Sequence, residues 1–278
     1  MRFRFGAPLV LAGLMAVLAH GTSAAAVINV QFGETSSIFG PTPHYTGGAV
    51  VGGAGDLWTF AGGTFNPDYL TSTAGWGRTI TALPLIDSAG VATSATLSLT
   101  TPDAFISLEH FTPIFKGTAY ADLMDSFVFA DGARLGQAGG QDGAGSVTIS
   151  GLNAGANYEL ILLSAGDVVG RATRFTLGGT DKLATPTGVA SFVEGDTFVR
   201  FLTQADAGGS LSFTFEAASG FEGDLNGLQL VEKGRPAEVE PSAAPEPTSW
   251  ALLILGFGLV GGTMRGRRSS GGDAVAAG

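Results

Sequence analysis

The chain contains no cysteine. That excludes a disulfide framework, a thiol nucleophile and any cysteine-ligated metal, so stability has to come from a packed core of adequate size. Histidine is nearly as scarce, at three residues (His20, His44 and His110), and none stands in an HExxH or other paired spacing. A His-based zinc site is thereby disfavoured; His44 in its Pro-rich segment and His110 beside Phe111 read as ordinary surface or half-buried residues. Basic side chains are also few, 14 against 24 acidic ones, for a formal net charge of −10. Such a surface repels phosphate backbones and argues against a nucleic-acid partner. No Gly-x-Ser-x-Gly elbow is present, no phosphate-loop lysine follows glycine clusters such as 166–170, and no long amphipathic helix runs through the chain.

Glycine, by contrast, is abundant: 44 of 278 residues, more than twice the usual share of about 7%. It is scattered and not arrayed in a short repeat, which indicates many tight turns. Between the turns the apolar pattern reads as short strands at 27–32, 57–60, 95–100, 126–129, 146–149, 158–163, 172–177, 189–193, 197–202, 211–215 and 225–231. Leu211, Phe213 and Phe215 share one face of an extended strand, with Ser212 and Thr214 on the other. The best helical stretch is 120–125. The expected fold is all-β, a two-sheet sandwich of jelly-roll type, with a helical leader and a C-terminal hydrophobic helix.

The two ends carry the clearest signals. Arg2 and Arg4 precede an apolar run over 7–19, and Ser23, Ala24, Ala25 and Ala26 close it. This is the layout of a secretory signal peptide, expected to span 1–26; the run falls short of the roughly 20 residues that cross a bilayer. Near the other end, a Pro- and Glu-rich stretch over 233–244 is too polar to pack and reads as a linker. Pro245, Glu246 and Pro247 follow, then an apolar run over 250–264 and the basic residues Arg265, Arg267 and Arg268. As a helix that run measures about 22 Å, against a hydrocarbon core of about 30 Å. Four glycines weaken it further. It is a marginal span whose arginines would stay cytoplasmic.

Pro245-Glu246-Pro247-Thr248-Ser249-Trp250-Ala251, the apolar segment and the arginine cluster together resemble the PEP-CTERM sorting signal in its PEPxxWA form. The resemblance covers 245–268, with a helix over 248–264; the polar tail 269–278 extends beyond many such signals. It implies handling by an exosortase, a membrane transpeptidase, a transient inner-membrane intermediate, and delivery to the cell envelope or extracellular matrix, typically in association with extracellular polysaccharide. A second likeness lies in the middle of the chain. Gly151-Leu152-Asn153-Ala154-Gly155-Ala156-Asn157-Tyr158-Glu159-Leu160 is similar to a turn-and-strand of extracellular β-sandwich modules, with Ala154 where a proline is usual. Phe221-Glu222-Gly223-Asp224-Leu225-Asn226-Gly227-Leu228-Gln229-Leu230 is similar to the closing strand of galactose-binding-like jelly rolls. These imply a sandwich over 27–232 and leave the function open.

Without leader and tail, 9 basic and 23 acidic side chains remain, a formal −14. Candidate chemistry within this part is sparse, and each candidate admits two readings. Trp58, Tyr69 and Trp76, with Phe65, form either a stacking platform for sugar rings or part of the core. Asp131 and Asp142 bracket a polar glycine-rich segment that is either a structural calcium loop, supplying carboxylates and carbonyls, or a plain hairpin connection. Glu194 and Glu222 are either a glycosidase pair or solvated turn carboxylates. No other cofactor is indicated. The sequence favours a non-catalytic exported protein that binds or organises extracellular polysaccharide, with a purely structural matrix role or a polysaccharide hydrolase as alternatives. Intact-mass analysis from the native host should find a chain beginning near Val27 and ending close to Pro247; recovery of Arg267 and Arg268 in the extracellular fraction would contradict sorting at this motif.

Overall fold

The computed structural model describes residues 27–35, 41–63, 77–108, 113–131 and 140–234. The chain divides into two units, 1–234 and 235–278; the second, with the Pro-Glu-Pro motif and the arginine cluster, lies outside the described residues, as do the leader, Phe65, Tyr69, Trp76 and His110. In chain order the strands are β1 (Val27–Glu34), β2 (Thr59–Gly63), β3 (Arg78–Ile86), β4 (Ala92–Thr101), β5 (Phe105–Ser107), β6 (Ser126–Ala130) and β7 (Gly145–Ser150). There follow β8 (Asn157–Leu163), β9 (Ala172–Leu177), β10 (Thr180–Ala184), β11 (Phe198–Gln204), β12 (Leu211–Ser219), β13 (Gly223–Leu225) and β14 (Gly227–Lys233). One short helix, α1 (Ala121–Met124), precedes β6.

The strands form a two-sheet sandwich. One sheet has the order β11-β8-β14-β1-β2, the other β10-β9-β12-β7-β4-β3, and a small third sheet β13-β6-β5 completes the set. All pairings are antiparallel except β1 with β2. In the six-stranded sheet one face is core and the other meets solvent, so β4 and β12 alternate: Ala95, Leu97 and Leu99, and Leu211, Phe213, Phe215 and Ala217, point inward. Opposite them lie Val30, Phe32, Leu160, Leu162, Val199, Leu228 and Leu230 of the five-stranded sheet, which complete the main core. The small sheet packs across both: β5 and β6 lie against β1, and β13 against β9 and β12.

The central strands of the five-stranded sheet do not alternate, because both of their faces are covered. β8 is buried from Tyr158 to Leu163, and β1 from Ile28 to Glu34. The second face is roofed by residues 41–58 and 113–125, where Tyr45, Trp58, Phe115, Leu123 and Met124 pack on Ile161, Leu163 and Phe198. Buried amide side chains hold this roof. Asn29 and Gln229 stand opposite each other on β1 and β14. Gln229 donates to Asn29 Oδ1 at 2.9 Å and accepts from the backbone N–H of Val50 and Val51 at 3.0 Å each. Gln31 donates to the carbonyls of Pro43 and Asp122 at 2.9 and 2.6 Å and accepts from Tyr45 N at 2.9 Å. Asn226, fully buried between β13 and β14, accepts from Ala165 N at 2.6 Å and donates to the carbonyls of Met124 and Ser126 at 2.8 and 2.9 Å. At one margin of the same face, buried Glu159 is paired with both Arg200 and Lys233.

Several elements depart from the sequence pattern. The apolar stretch 189–193 is no strand but a loop: Thr197 Oγ1 donates to Ser191 O at 2.8 Å and accepts from Val193 N at 3.0 Å, which closes a turn and leaves Val189 and Val193 exposed. β3 was hidden by Pro84; it is an edge strand with register shifts on either side of Leu83–Pro84, and Ala82 sits at φ 49°. The stretch 225–231 is broken at Asn226 into β13 and β14. Replacing Asn226 by Ala would strand one buried N–H and two carbonyls, at a cost of about 3 kcal/mol or more. Thr180→Ala on exposed β10 should stay within about 0.5 kcal/mol; urea titration of both variants checks the contrast, and equal small losses would contradict it.

Candidate functional site

One end of the sandwich is built by connections of very different length. Residues 102–104 join β4 to β5, 164–171 join β8 to β9, 185–197 join β10 to β11, and 220–222 join β12 to β13, with Asp131 and 140–144 the described parts of the β6–β7 connection. Hydrogen bonds tie these segments together. Gly170 N donates to Pro186 O at 2.7 Å, Ser219 Oγ to Gly170 O at 2.9 Å, and Gln141 N to Asp103 Oδ1 at 3.1 Å. Asp196 accepts from Thr187 N at 3.0 Å and from its hydroxyl, which stiffens the 185–197 loop from within. The 164–171 and 185–197 loops are thus positioned by the scaffold, as functional loops commonly are.

Arg171 is the centre of this end. Its Nη1 lies 3.1 Å from Asp167 Oδ1 and contacts Glu222, clamping the 164–171 connection to the short turn after β12. The turn is tight. A Cβ at Gly220, where φ is 85°, would sit 3.0 Å from Arg171 Cγ, and one at Gly223 would lie 2.4 Å from the backbone carbon of Glu216, so β13 crosses β12 only because residue 223 is glycine. The chain then presents Phe221 outward at 52% exposure, while Glu222 and Asp224 turn inward. Val168, Val169 and Val189 are exposed on the adjoining loops at 43, 59 and 47%.

Electrostatics below this surface are unusual. Burial pushes the Glu222 carboxyl up to about 7, against Arg171, which pulls it down, with Asp167 and Asp103 adding to the rise. Asp224 is raised well above the ordinary carboxylate range by burial and by the Glu222 charge, in spite of Arg171. Both Asp224 oxygens and Arg171 Nε lack a hydrogen-bond partner. A third acid, half-buried Asp125, is raised to about 7 chiefly by desolvation, with Lys116 opposing and Asp122 adding. It lines a cavity of about 60 Å3 with Thr42, Ser107, Asp122 and Ser126.

Of the sequence candidates, Glu222 belongs to this cluster and the other described ones have separate roles. Trp58 is 8% exposed, donates its indole N–H to Gly47 O at 2.8 Å and packs edge-on to Tyr45 at 5.6 Å. It is a core ring and offers no stacking face, which corrects the platform reading at this position. Asp131 is buried at φ 67° and spends both oxygens on backbone amides, Gly143 N at 2.8 Å and Ala217 N at 2.9 Å. Asp142 is exposed. A calcium ion here would compete with those two amides, and among the described residues no group of three or more His, Asp or Glu is arranged to hold a metal ion. Glu194 lies exposed near Lys182 and Arg200, at 3.9 and 3.6 Å, whereas Glu222 is bound to Arg171. The two acids serve separate ion clusters. His44 is exposed and stacks on Phe60 at 4.6 Å. Sequence reasoning missed Arg171, Asp224 and Phe221; the signal was the alternation Phe221-Glu222-Gly223-Asp224, with acids at i and i+2 around a glycine.

No protein-family model matches the chain, and no curated protein matches it. Among solved structures, the exo-β-1,3-galactanase of Phanerochaete chrysosporium with galactose is similar at 20% identity and a TM-score of 0.28, over 52% of this chain and 32% of that one. A form of the same enzyme with β-1,3-galactotriose is similar at 17% identity and a TM-score of 0.27, over 58% and 29%. The chain spans about a third of the length of these structures.

The Arg171 clamp makes a pH-resolved prediction. Arg171→Leu leaves buried carboxylates without their cation and should cost about 3–5 kcal/mol at pH 7. At pH 3, below the ordinary values of 4.5 for glutamate and 3.8 for aspartate, both native and unfolded carboxyls mostly hold protons and most of that loss disappears. Denaturant titrations at the two values check it; an equal loss at both would contradict it.

Proposed function

We propose that the chain is an exported, non-catalytic protein, sorted by an exosortase-type enzyme to the envelope or matrix, whose loop end binds extracellular polysaccharide. The sorting half of this reading is supported by the leader 1–26 and by Pro245, Glu246, Pro247, Trp250, Ala251, Arg265, Arg267 and Arg268. The binding half is supported chiefly by one observation. Phe221 is a large aromatic ring, 52% exposed, on a turn that passes close over Arg171 and β12 at Gly220 and Gly223.

A free-standing exposed ring of this kind suits the CH face of a sugar, which stacks on aromatic surfaces while its hydroxyls seek polar partners. Asp167, 29% exposed at its side chain and fixed by Arg171, and the backbone groups of the 185–197 loop supply such partners beside it. Val168, Val169 and Val189 add apolar contact without demanding full desolvation. The preorganisation of the loops by Asp196 and Thr197 lowers the ordering cost of binding. Glu222, by contrast, is buried and paired beneath the turn, which suits support of the surface and not attack on a glycosidic bond.

An affinity gel containing the native host's exopolysaccharide should retard the protein. Phe221→Ala should weaken that retention by about 1–2 kcal/mol, roughly five- to thirty-fold in Kd, with unchanged melting. Trp58→Ala should instead cost about 3–5 kcal/mol of stability and alter retention only through unfolding. No retention of the parent, or retention indifferent to Phe221, would sink the binding reading in favour of a structural matrix role.

A further inference from the structure

Among the described residues, the floor of the loop end gathers more carboxyl groups around Glu222 and Asp224 than the single cation Arg171 can pair. Glu222 and Asp224 stand two residues apart in extended chain around Gly223, so their side chains leave the same side of the backbone. Asp224 is 1% exposed and neither of its carboxylate oxygens has a hydrogen-bond partner. Gly166 closes the other side: a Cβ there would lie 2.5 Å from Asp224 Oδ2. Charged groups reach the pair from two elements. The 164–171 connection contributes Arg171 and Asp167, and the β4–β5 connection contributes Asp103, which is itself tied to Gln141 N. The strands packed against it bring neutral groups, Thr173 of β9 with its hydroxyl on Asp224 N at 2.8 Å and Phe129 of β6 opposite Asp224 in register. Glu216 of β12 is engaged 3.0 Å from Arg174, and Asp131 is held by its two amides.

Arg171 already faces Asp167 and Glu222, so among the described residues a charge on buried Asp224 would have neither a cation of its own nor a donor. The described residues offer no metal-holding group to relieve it. Among the described residues, a proton is the remaining counter-charge. We infer that Glu222, Asp224 and Arg171 form a proton-operated latch: while the acid pair keeps one proton, Arg171 holds the 219–223 turn against the 166–171 loop, and loss of that proton loosens the turn that carries Phe221. The direction follows from burial, which raises both carboxyls. A raised native value means that the folded protein binds more protons than the unfolded one above the ordinary carboxylate range. The closed turn is therefore favoured at acid and neutral pH and weakened as pH rises through the native values. As a control over ligand binding, the latch rests on the reading of Phe221 as the sugar contact; as a structural device it does not.

The test is amide hydrogen exchange on the full chain at pH 6 and pH 9, expressed as protection factors so that the intrinsic rate change cancels. Protection over 166–171 and 219–224 should fall about tenfold or more between the two, while the β1 and β14 amides hold theirs. Asp224→Asn should keep the turn equally protected at both values. A parent whose turn is equally protected at pH 6 and pH 9, or an Asp224→Asn variant that tracks the parent, overturns the latch. Independently of any variant, the Asp224 carboxyl carbon should give the chemical shift of a protonated acid at pH 7, and an ionised shift there overturns it. Retention on exopolysaccharide gels separates the two claims: pH-dependent protection without retention at either pH keeps the latch and removes the ligand reading. Retention that is equal at both pH values, while protection changes, removes the coupling between them.

Discussion

Burial of both faces of the five-stranded sheet is the constraint on which the remaining structure depends. A sheet covered on one side needs only an apolar face; one covered on both must also satisfy whatever polar groups the second cover brings with it. Here the second cover is mostly irregular chain, residues 41–58 and 113–125, whose backbone N–H and C=O groups have no ladder of their own. Asn29, Gln31 and Gln229 supply the missing partners from the sheet surface, each amide serving as donor and acceptor at once. Asn226 does the same where β13 passes into β14, tying that junction to Ala165 of the β8–β9 connection and to the α1–β6 junction. Removing one such side chain leaves several groups unsatisfied together, which is why buried amides of this kind specify one packing arrangement.

That roof also decides which surfaces are free to act. Trp58 and Tyr45, the obvious aromatics of the early chain, are used to seal it. The proposed recognition surface lies instead at the end of the sandwich, where short and long connections meet and where glycine lets the 219–223 turn pass close over β12. There the arrangement reverses: the acids point inward and the phenyl ring points out. Arg171 links the two halves of this design, since it pairs with buried Glu222 and fixes the turn that exposes Phe221.

Much of the sandwich was legible in the sequence. β4 and β12 announce themselves by alternation, and the unbroken apolar run of β8 is what a doubly covered strand looks like. The misses have physical causes. Pro84 and the irregular backbone at Ala82 disguise β3 as a loop. Val189 and Val193 imitate a strand, yet Thr197 and Asp196 capture that chain as a turn. Trp58 reads equally as platform or core until residues 41–58 are placed by amides as much as 179 positions away. The acid cluster was only partly visible: Glu222 stood out as a carboxylate, but its partner Arg171 lies 51 residues earlier and meets it only through the order of β9, β12 and β13. The terminal signals rest on sequence alone, because those residues lie outside the described structure.

The central claim, that ligand contact occurs at the Arg171–Phe221 end, is tested most directly by hydroxyl-radical footprinting with and without the host exopolysaccharide. Phe221, Val168, Val169 and Val189 should lose reactivity together when the polysaccharide is present, while exposed Leu202 and Val91 at other places on the sandwich stay unchanged. Protection centred on Leu202 or Val91, with Phe221 still reactive, would contradict the account.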